Sequence, residues 1–154
     1  MKKFLVALVA MFAVTAASAQ VANVGARFGA SGYSGFELTA QYDLSKTNYI
    51  EGRIGFGGYG TELTGIYNYE LRAFNWTPDL GQWFFDAGYG ARVGLGGAME
   101  VGVVGTAKLG LNLKSVPVGI AFDFTPSINF CPQAAPGYKI NTWYGSGFSV
   151  VYRF

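Results

Sequence analysis

The sequence predicts an all-β protein, built as a closed, eight-stranded, antiparallel up-and-down barrel. Three observations support this prediction. After residue 19 the chain divides into eight segments of alternating apolar and polar side chains, separated by clusters of Gly, Ser, Pro, Asn or Asp. None of these segments has the periodicity of a helix. Charged residues are only 13% of the chain and aromatic residues are 17%, a balance that is unusual for a soluble domain.

The amino-terminal stretch has the pattern of a secretory signal peptide. Lys2 and Lys3 form its basic start, an apolar run covers residues 4–14, and Ala17-Ser18-Ala19 supplies a small-residue cleavage site. The apolar run is too short to span a bilayer as a helix. We therefore expect residues 1–19 to be removed, which leaves residues 20–154 as a single barrel domain.

Each predicted strand has one apolar and one polar face, because successive side chains of a strand point to opposite sides. On the second strand, Phe36 and Leu38 lie on the apolar face, whereas Glu37 and Thr39 lie on the polar face. The same alternation predicts strands over Asn23 to Gly29, Phe36 to Asp43, Ile50 to Phe56, Glu62 to Arg72, Trp83 to Leu95, Glu100 to Asn112, Val118 to Thr125 and Trp143 to Phe154.

The connections between these strands differ in length. Three connections that would share one end of the barrel are very short, namely Ser31 to Gly35, Gly57 to Gly60 and Gly96 to Met99. The longest predicted connection runs from Pro126 to Asn141 and contains Cys131. Its prolines favour a loop. We expect it to be the one connection that extends appreciably beyond the barrel.

The polar face collects glycine, small polar residues and nearly every charge of the mature chain. Glycine interleaved with arginine and acids fits a narrow lumen, where glycine leaves room for long side chains. An eight-stranded lumen is just wide enough for side chains to fill. Buried single charges are costly, so near-equal numbers of both signs predict mutual pairing. The predicted lumen charge network comprises Arg27, Glu37, Glu51, Arg53, Glu62, Glu70, Arg72, Asp86, Arg92, Glu100, Lys108, Asp123 and Arg153.

The apolar face has the features of a surface in contact with lipid. Segments of about ten residues that are apolar outward and polar inward match the strands of a transmembrane barrel. Aromatic residues concentrate near strand ends that would share one side of the barrel, as in an interfacial girdle. They are Tyr42, Tyr69, Phe74, Trp76, Trp83, Phe85, Tyr152 and Phe154.

The last strand carries a resemblance to a known family. Phe148, Val150, Tyr152 and Phe154 share one face of it, and Arg153 lies on the other. In this pattern the chain resembles the small eight-stranded outer-membrane barrels of Gram-negative bacteria, the group typified by the OmpA transmembrane domain and OmpX. The resemblance covers Gln20 to Phe154 and implies that these four residues form an assembly signal for the barrel-assembly machinery. The peptidoglycan-binding domain of longer relatives is not expected.

Composition argues against several classes of function. The formal net charge of +2 includes Lys2 and Lys3, so the mature chain is about neutral and no nucleic-acid partner is expected. The chain contains no histidine, the usual general base near neutral pH. We therefore expect no enzyme activity, no metal site and no cofactor. The glycines at residues 55–60 match GxGxxG, but the βαβ unit that dinucleotide binding requires is not predicted.

We therefore expect a monomeric, integral protein of the bacterial outer membrane, in contact with outer-membrane lipid and with both termini in the periplasm. Its expected role is structural or concerned with surface interaction. Two alternatives stay open. Inward glycines leave room for a narrow, low-conductance pore. A secreted, lipocalin-like ligand-binding barrel would instead turn the apolar face inward and leave in water the five arginines Arg27, Arg53, Arg72, Arg92 and Arg153.

Overall fold

The computed structural model describes residues 21–30, 35–57, 60–73, 78–96, 99–131 and 139–154. The strands in these ranges are β1 (Val21–Ala30), β2 (Phe36–Asp43), β3 (Asn48–Gly57), β4 (Gly60–Ala73), β5 (Gly81–Gly96), β6 (Met99–Leu113), β7 (Val118–Cys131) and β8 (Lys139–Arg153). Across the described ranges, no helix is long and apolar enough to span a membrane. The predicted signal peptide, residues 1–19, lies outside the described residues.

The strands form one closed antiparallel sheet. Each strand pairs with its neighbours in the chain, and β8 pairs with β1 to complete the barrel. At this seam the register runs from Asn23 opposite Arg153 to Ala30 opposite Ser146. The prediction of an all-β, closed, eight-stranded, antiparallel up-and-down barrel is therefore confirmed. We call the end at which β1 begins and β8 ends the lower end, and the opposite one the upper end.

The strands are staggered, and the stagger sets the width of the lumen. A path from Val151 through paired neighbours returns to β8 at Asn141, ten residues away, after passing Gly25, Thr39, Arg53, Thr64, Arg92, Gly102 and Asn129. For a rise of about 3.3 Å per residue and a strand spacing of about 4.8 Å, this stagger tilts the strands by about 40°. A barrel of this tilt and strand number encloses a lumen that side chains can fill.

Alternation along the strands separates an interior from an exterior. On β2, Glu37, Thr39 and Gln41 are buried and point into the lumen. The interior also contains two apolar side chains that the sequence interpretation left unassigned, Ile66 on β4 and Val104 on β6, both buried. They occupy inward positions of their strands, so the lumen is lined mainly but not wholly by polar groups.

The predicted loop from Pro126 to Asn141 is wrong at both ends. Strand β7 continues through Pro126 to Cys131, and β8 already begins at Lys139. Alternation explains the continuation, because Ser127 is buried while Ile128 is exposed. Proline lacks the amide donor that a strand interior requires. In the structure, pairing between β6 and β7 is interrupted between Ser127, opposite Val104, and Phe124, opposite Ala107. Pro126 still lies opposite Tyr144 on β8.

A register shift interrupts the β4–β5 pairing near the lower end. Glu70 lies opposite Asp86, whereas Arg72 lies opposite Phe85, so one extra residue of β4 is accommodated between them. A bulge of this kind changes the face that later residues present. The predicted lumen position of Arg72 lies beyond this shift, and its side chain lies outside the described residues.

Candidate functional site

The interior is organised around two buried carboxylates, and the first is Asp123 on β7. The guanidinium of Arg27 on β1 donates to it through Nε at 2.8 and 3.0 Å and through Nη2 at 2.7 Å. Thr125 Oγ1 donates to the same carboxylate at 2.9 Å. Arg27 also forms an ion pair with Glu37 on β2 at 3.2 Å. Arg27 therefore connects three strands through contacts of the strong, charge-assisted type.

The second carboxylate is Glu51 on β3. Arg53 Nε donates to it at 2.9 Å and Lys108 Nζ, from β6, at 2.6 Å. Two neutral groups complete its shell, Thr39 Oγ1 at 2.9 Å and Asn68 Nδ2 at 3.2 Å. Glu51 is almost fully buried, and four donors offset the cost of removing its charge from water.

Arg53 joins the two carboxylates into one network. Its Nη1 lies 3.9 Å from Asp123 Oδ1 and 3.4 Å from Thr125 Oγ1, while its Nε donates to Glu51. The central network, as we call it, consists of Glu37, Arg27, Asp123, Arg53, Glu51 and Lys108. Its members come from β1, β2, β3, β6 and β7, so it connects opposite walls of the barrel.

A separate ion pair joins β4 and β5. Arg92 Nη2 donates to Glu62 Oε2 at 2.5 Å, and Arg92 Nη1 donates to Ser127 Oγ at 3.3 Å. Thr64 Oγ1 also donates to Glu62 at 3.2 Å. A small cavity of about 10 Å³ separates this pair from the central network, since Arg27, Glu37 and Arg53 line it together with Glu62 and Arg92. That space is about what one water molecule requires.

Glycines leave the room that the long side chains occupy. Gly147 on β8 lies opposite Asp123, and a Cβ atom built on it would lie 2.5 Å from Arg27 Cζ. The guanidinium of Arg27 therefore crosses the backbone at Gly147 to reach Asp123. In the same way, the ring of Phe84 covers Gly110, its partner across β5 and β6. This is the physical reason for interleaving glycine with large side chains on the inward face.

A larger cavity of about 220 Å³ occupies the lower end. Its polar wall includes Asp86, Glu70 and Tyr49, and the Lys108 side chain lies at its inner side. Tyr49 donates through its hydroxyl to Asp86 Oδ2 at 2.6 Å, and Lys108 Nζ lies 3.2 Å from the same hydroxyl oxygen. We call this space the lower cavity; its other lining residues are Asn23, Gln41, Asp43, Ser45, Lys46, Thr47, Asn48, Phe84, Asn112, Gly119, Ala121, Ser149, Val151 and Arg153.

The structure places the predicted network residues in four different settings. Six form the central network and two form the Glu62–Arg92 pair. Glu70, Asp86 and Arg153 line the lower cavity. Glu100 lies near the upper end of β6 and is partly exposed. Arg72 lies beyond the register shift, and its side chain is outside the described part of the chain.

Sequence interpretation missed several neutral members of the site. Tyr49 shares the inward face of β3 with Glu51 and Arg53, two and four residues further along, and extending that alternation by one step would have identified it. Thr39, Asn68 and Thr125 lie on predicted inward faces, but their hydrogen bonds to Glu51 and Asp123 depend on the stagger between strands. A single sequence does not specify that stagger.

The outer face is the reverse of the interior. Each of the eight strands exposes large apolar side chains among its described residues, including Tyr89 on β5 and Phe122 on β7. The predicted assembly-signal residues Phe148, Val150, Tyr152 and Phe154 are all exposed along β8. Tyr152 and Phe154 contact each other edge to face, with ring centroids 5.1 Å apart.

Comparisons with family models, with curated proteins and with solved structures found no match for this chain.

Replacing Gly147 with alanine tests the crossing of Arg27 over the β8 backbone. The new methyl group would displace the guanidinium from Asp123, and we expect a loss of about 1–3 kcal/mol in the free energy of unfolding. Gly65→Ala is the matched control, because nothing lies within 4 Å of a Cβ atom at that exposed position. Urea unfolding of both variants measures the difference, and equal stabilities would contradict the assigned position of Arg27.

Replacing Arg92 with leucine tests the buried pair at β4 and β5. The change leaves Glu62 buried without its cation, and we expect a loss of about 3–5 kcal/mol. The double variant Arg92→Leu/Glu62→Leu removes both charges and is expected to regain a large part of that loss. Urea unfolding of the wild type, both single variants and the double variant gives the coupling energy. A coupling energy near zero would show that the two side chains do not depend on each other.

Proposed function

We propose that this protein is an integral barrel of the bacterial outer membrane, with a closed lumen and a structural or surface-interaction role. The observation that carries the proposal is the inverted distribution of side chains. Nine ionisable side chains among the described residues are buried in the lumen, whereas large apolar side chains are exposed outside. A continuous apolar exterior of this kind marks a surface that contacts lipid or another apolar partner.

The fold by itself is equally compatible with a lipocalin-like ligand-binding barrel. The orientation of the side chains favours the membrane protein. A soluble binding barrel requires an apolar interior for its ligand and a polar exterior for water. Here Arg27, Arg53 and Arg92 are buried, and Phe122, on the outside, is 59% exposed. In water this exterior would be a predicted site of aggregation.

The packing of the lumen supports a closed barrel over a narrow pore. The central network extends from β1 and β2 across to β6 and β7. Above it, the space beside the Glu62–Arg92 pair is only about 10 Å³. Passage of a hydrated ion would require these ion pairs to separate, and separating buried charges costs several kcal/mol.

The same architecture supports the remaining parts of the proposal. β1 begins and β8 ends at the lower end, which we assign to the periplasm. The exposed row of Phe148, Val150, Tyr152 and Phe154 is available to the barrel-assembly machinery during insertion, and outer-membrane lipid covers it afterwards. We propose that the barrel is monomeric, binds no nucleic acid and has no enzyme activity. Four of the five carboxylates that are buried in the described part of the chain, Glu37, Glu51, Glu62 and Asp123, form ion pairs with arginine or lysine.

Replacing Phe122 with arginine tests the lipid contact directly. Phe122 lies between Leu109 on β6 and Phe148 on β8, and all three side chains are exposed. In lipid vesicles we expect the arginine to lower the free energy of unfolding by about 2–4 kcal/mol, as for a charge at the lipid face of a barrel. Folding is followed by the shift in gel migration between unheated and boiled samples, and stability by urea titration.

Leu80→Arg is the matched control for this experiment. Leu80 is also exposed, but it lies in the turn before β5 at the lower end, so its charge can remain in water. We expect its stability to match that of the wild type. If Phe122→Arg is also neutral, as for an ordinary surface substitution of a soluble protein, and the protein stays soluble without detergent, the membrane assignment is wrong.

A further inference from the structure

The lower cavity is the part of the lumen in which buried charge is not balanced. Among the described residues, the buried ionisable side chains are four bases, Arg27, Arg53, Arg92 and Lys108, and five acids, Glu37, Glu51, Glu62, Asp86 and Asp123. Four of the acids form ion pairs with these bases. The fifth, Asp86, forms none in the described part of the structure and lines the lower cavity.

Asp86 is 3% exposed, and only one of its carboxylate oxygens has a hydrogen-bond partner among the described residues, the Tyr49 hydroxyl on Oδ2. Lys108 lies opposite Asp86 in the register, but its ammonium group donates to Glu51 at 2.6 Å. Among the described residues, Asp86 Oδ1 therefore has no hydrogen-bond donor, and Asp86 lines the lower cavity.

Glu70 adds a second carboxylate at the same place. It lies directly opposite Asp86 in the β4–β5 register and also lines the lower cavity. Like charges directly opposite each other on neighbouring strands are destabilising. The other acid of the cavity, Asp43, is exposed and lies close enough to Arg153 for an electrostatic interaction. Three cations, Lys46, Lys108 and Arg153, also line the cavity, but Lys108 donates to Glu51. Among the described residues, Glu70 and Asp86 are therefore the cavity carboxylates that lack both an ion pair and a neighbouring arginine.

We propose that the lower cavity binds a small organic cation, an aliphatic amine, whose ammonium group lies between Glu70 and Asp86. The cavity of about 220 Å³ is much larger than the ~10–15 Å³ that one water molecule requires. Phe84, Ala121 and Val151 line it beside the acids and supply an apolar surface for a short carbon chain. This site goes beyond the proposed structural role.

The chemistry of the lining favours an amine over a metal ion. Among the described residues, no three carboxylate, thiol or imidazole side chains are grouped in a way that could hold a metal. Two carboxylates and a tyrosine hydroxyl oxygen provide acceptors for an N–H donor group, whereas divalent cations prefer six or more oxygen ligands. A primary ammonium group has three donors, which matches Asp86 Oδ1, Glu70 and a solvent molecule in the cavity.

Binding is tested by calorimetric titration of n-butylammonium chloride into the folded full-length barrel in a neutral detergent. Folding of each sample is first verified by its heat-dependent gel migration, so a failure to bind is distinguishable from a failure of the barrel fold or of the membrane assignment. We expect saturable binding of n-butylammonium and none of the uncharged n-butanol. We also expect KCl and MgCl₂ at the same concentrations to bind more weakly than the amine.

Glu70→Gln is the decisive variant, because the Glu70 side chain has no hydrogen bond or ion pair in the described structure, and its replacement keeps the backbone hydrogen bond to Thr47 and should not disturb folding. We expect its affinity for n-butylammonium to fall by about tenfold, and Asp86→Asn to do the same if that variant folds. Asp79→Asn is the matched control, since Asp79 is exposed in the turn before β5 and does not line the cavity. Its affinity should not change.

Three results would overturn the proposal. They are absence of saturable binding by a folded barrel, equal affinity of Glu70→Gln and wild type, and preference for Mg²⁺ or n-butanol over the amine. The first would show that the cavity holds the two carboxylates without an organic cation. The last would identify a metal site or a merely apolar pocket.

Discussion

A charged side chain enclosed in the barrel needs a side chain of opposite charge inside the same lumen, and the rest of the structure depends on this constraint. An arginine buried on the inward face of a closed barrel is surrounded by the other strands, and its guanidinium does not reach bulk water. Arg27 is accommodated because Asp123 and Glu37 both bond to its guanidinium. Removing one member of such a set leaves an unpaired buried charge, which costs far more than the pair contributes by its presence.

This constraint also determines which strands are connected. Arg27 on β1 reaches Asp123 on β7, and Lys108 on β6 reaches Glu51 on β3. Neither pair consists of adjacent strands, so the ion pairs add contacts across the lumen to the hydrogen bonds of the sheet. Glycine at inward positions such as Gly147 makes these contacts geometrically feasible. The ion pairs across the lumen therefore require three features together: balanced charges, glycine at inward positions and the observed stagger of the strands.

The sequence was sufficient to predict the fold class because alternation is a local property. The alternation within a single strand distinguishes its apolar face from its polar face, as it does for Phe36 to Asp43 on β2. Two features are not local, and one of them, the loop predicted from Pro126, was wrong. Proline at position 126 suggested a loop, but an interruption on the β6 side lets β7 continue to Cys131. The register shift after Glu70 could not be read from β4 alone, since it depends on pairing with β5.

The same distinction applies to the site. The spacing of two residues between Glu51 and Arg53 predicts that both side chains point into the lumen. The contact between Lys108 and Glu51 depends instead on the stagger of ten residues around the barrel. The lower cavity was not predicted at all. Its extent depends on how side chains such as Phe84 and Tyr49 pack inside the lumen, and a single sequence does not specify that packing.

The most direct test of contact between lipid and the exterior is the accessibility of spin labels on the outer face of the barrel in lipid vesicles. Single cysteines replace Tyr89, Leu109 and Phe148 in a Cys131→Ser background, and Lys46 in the lower turn serves as the aqueous reference. If lipid covers the exterior, labels at the first three positions collide with dissolved oxygen in preference to a water-soluble nickel chelate, with the opposite preference at Lys46. A preference for the nickel chelate at Tyr89, Leu109 and Phe148 would contradict it.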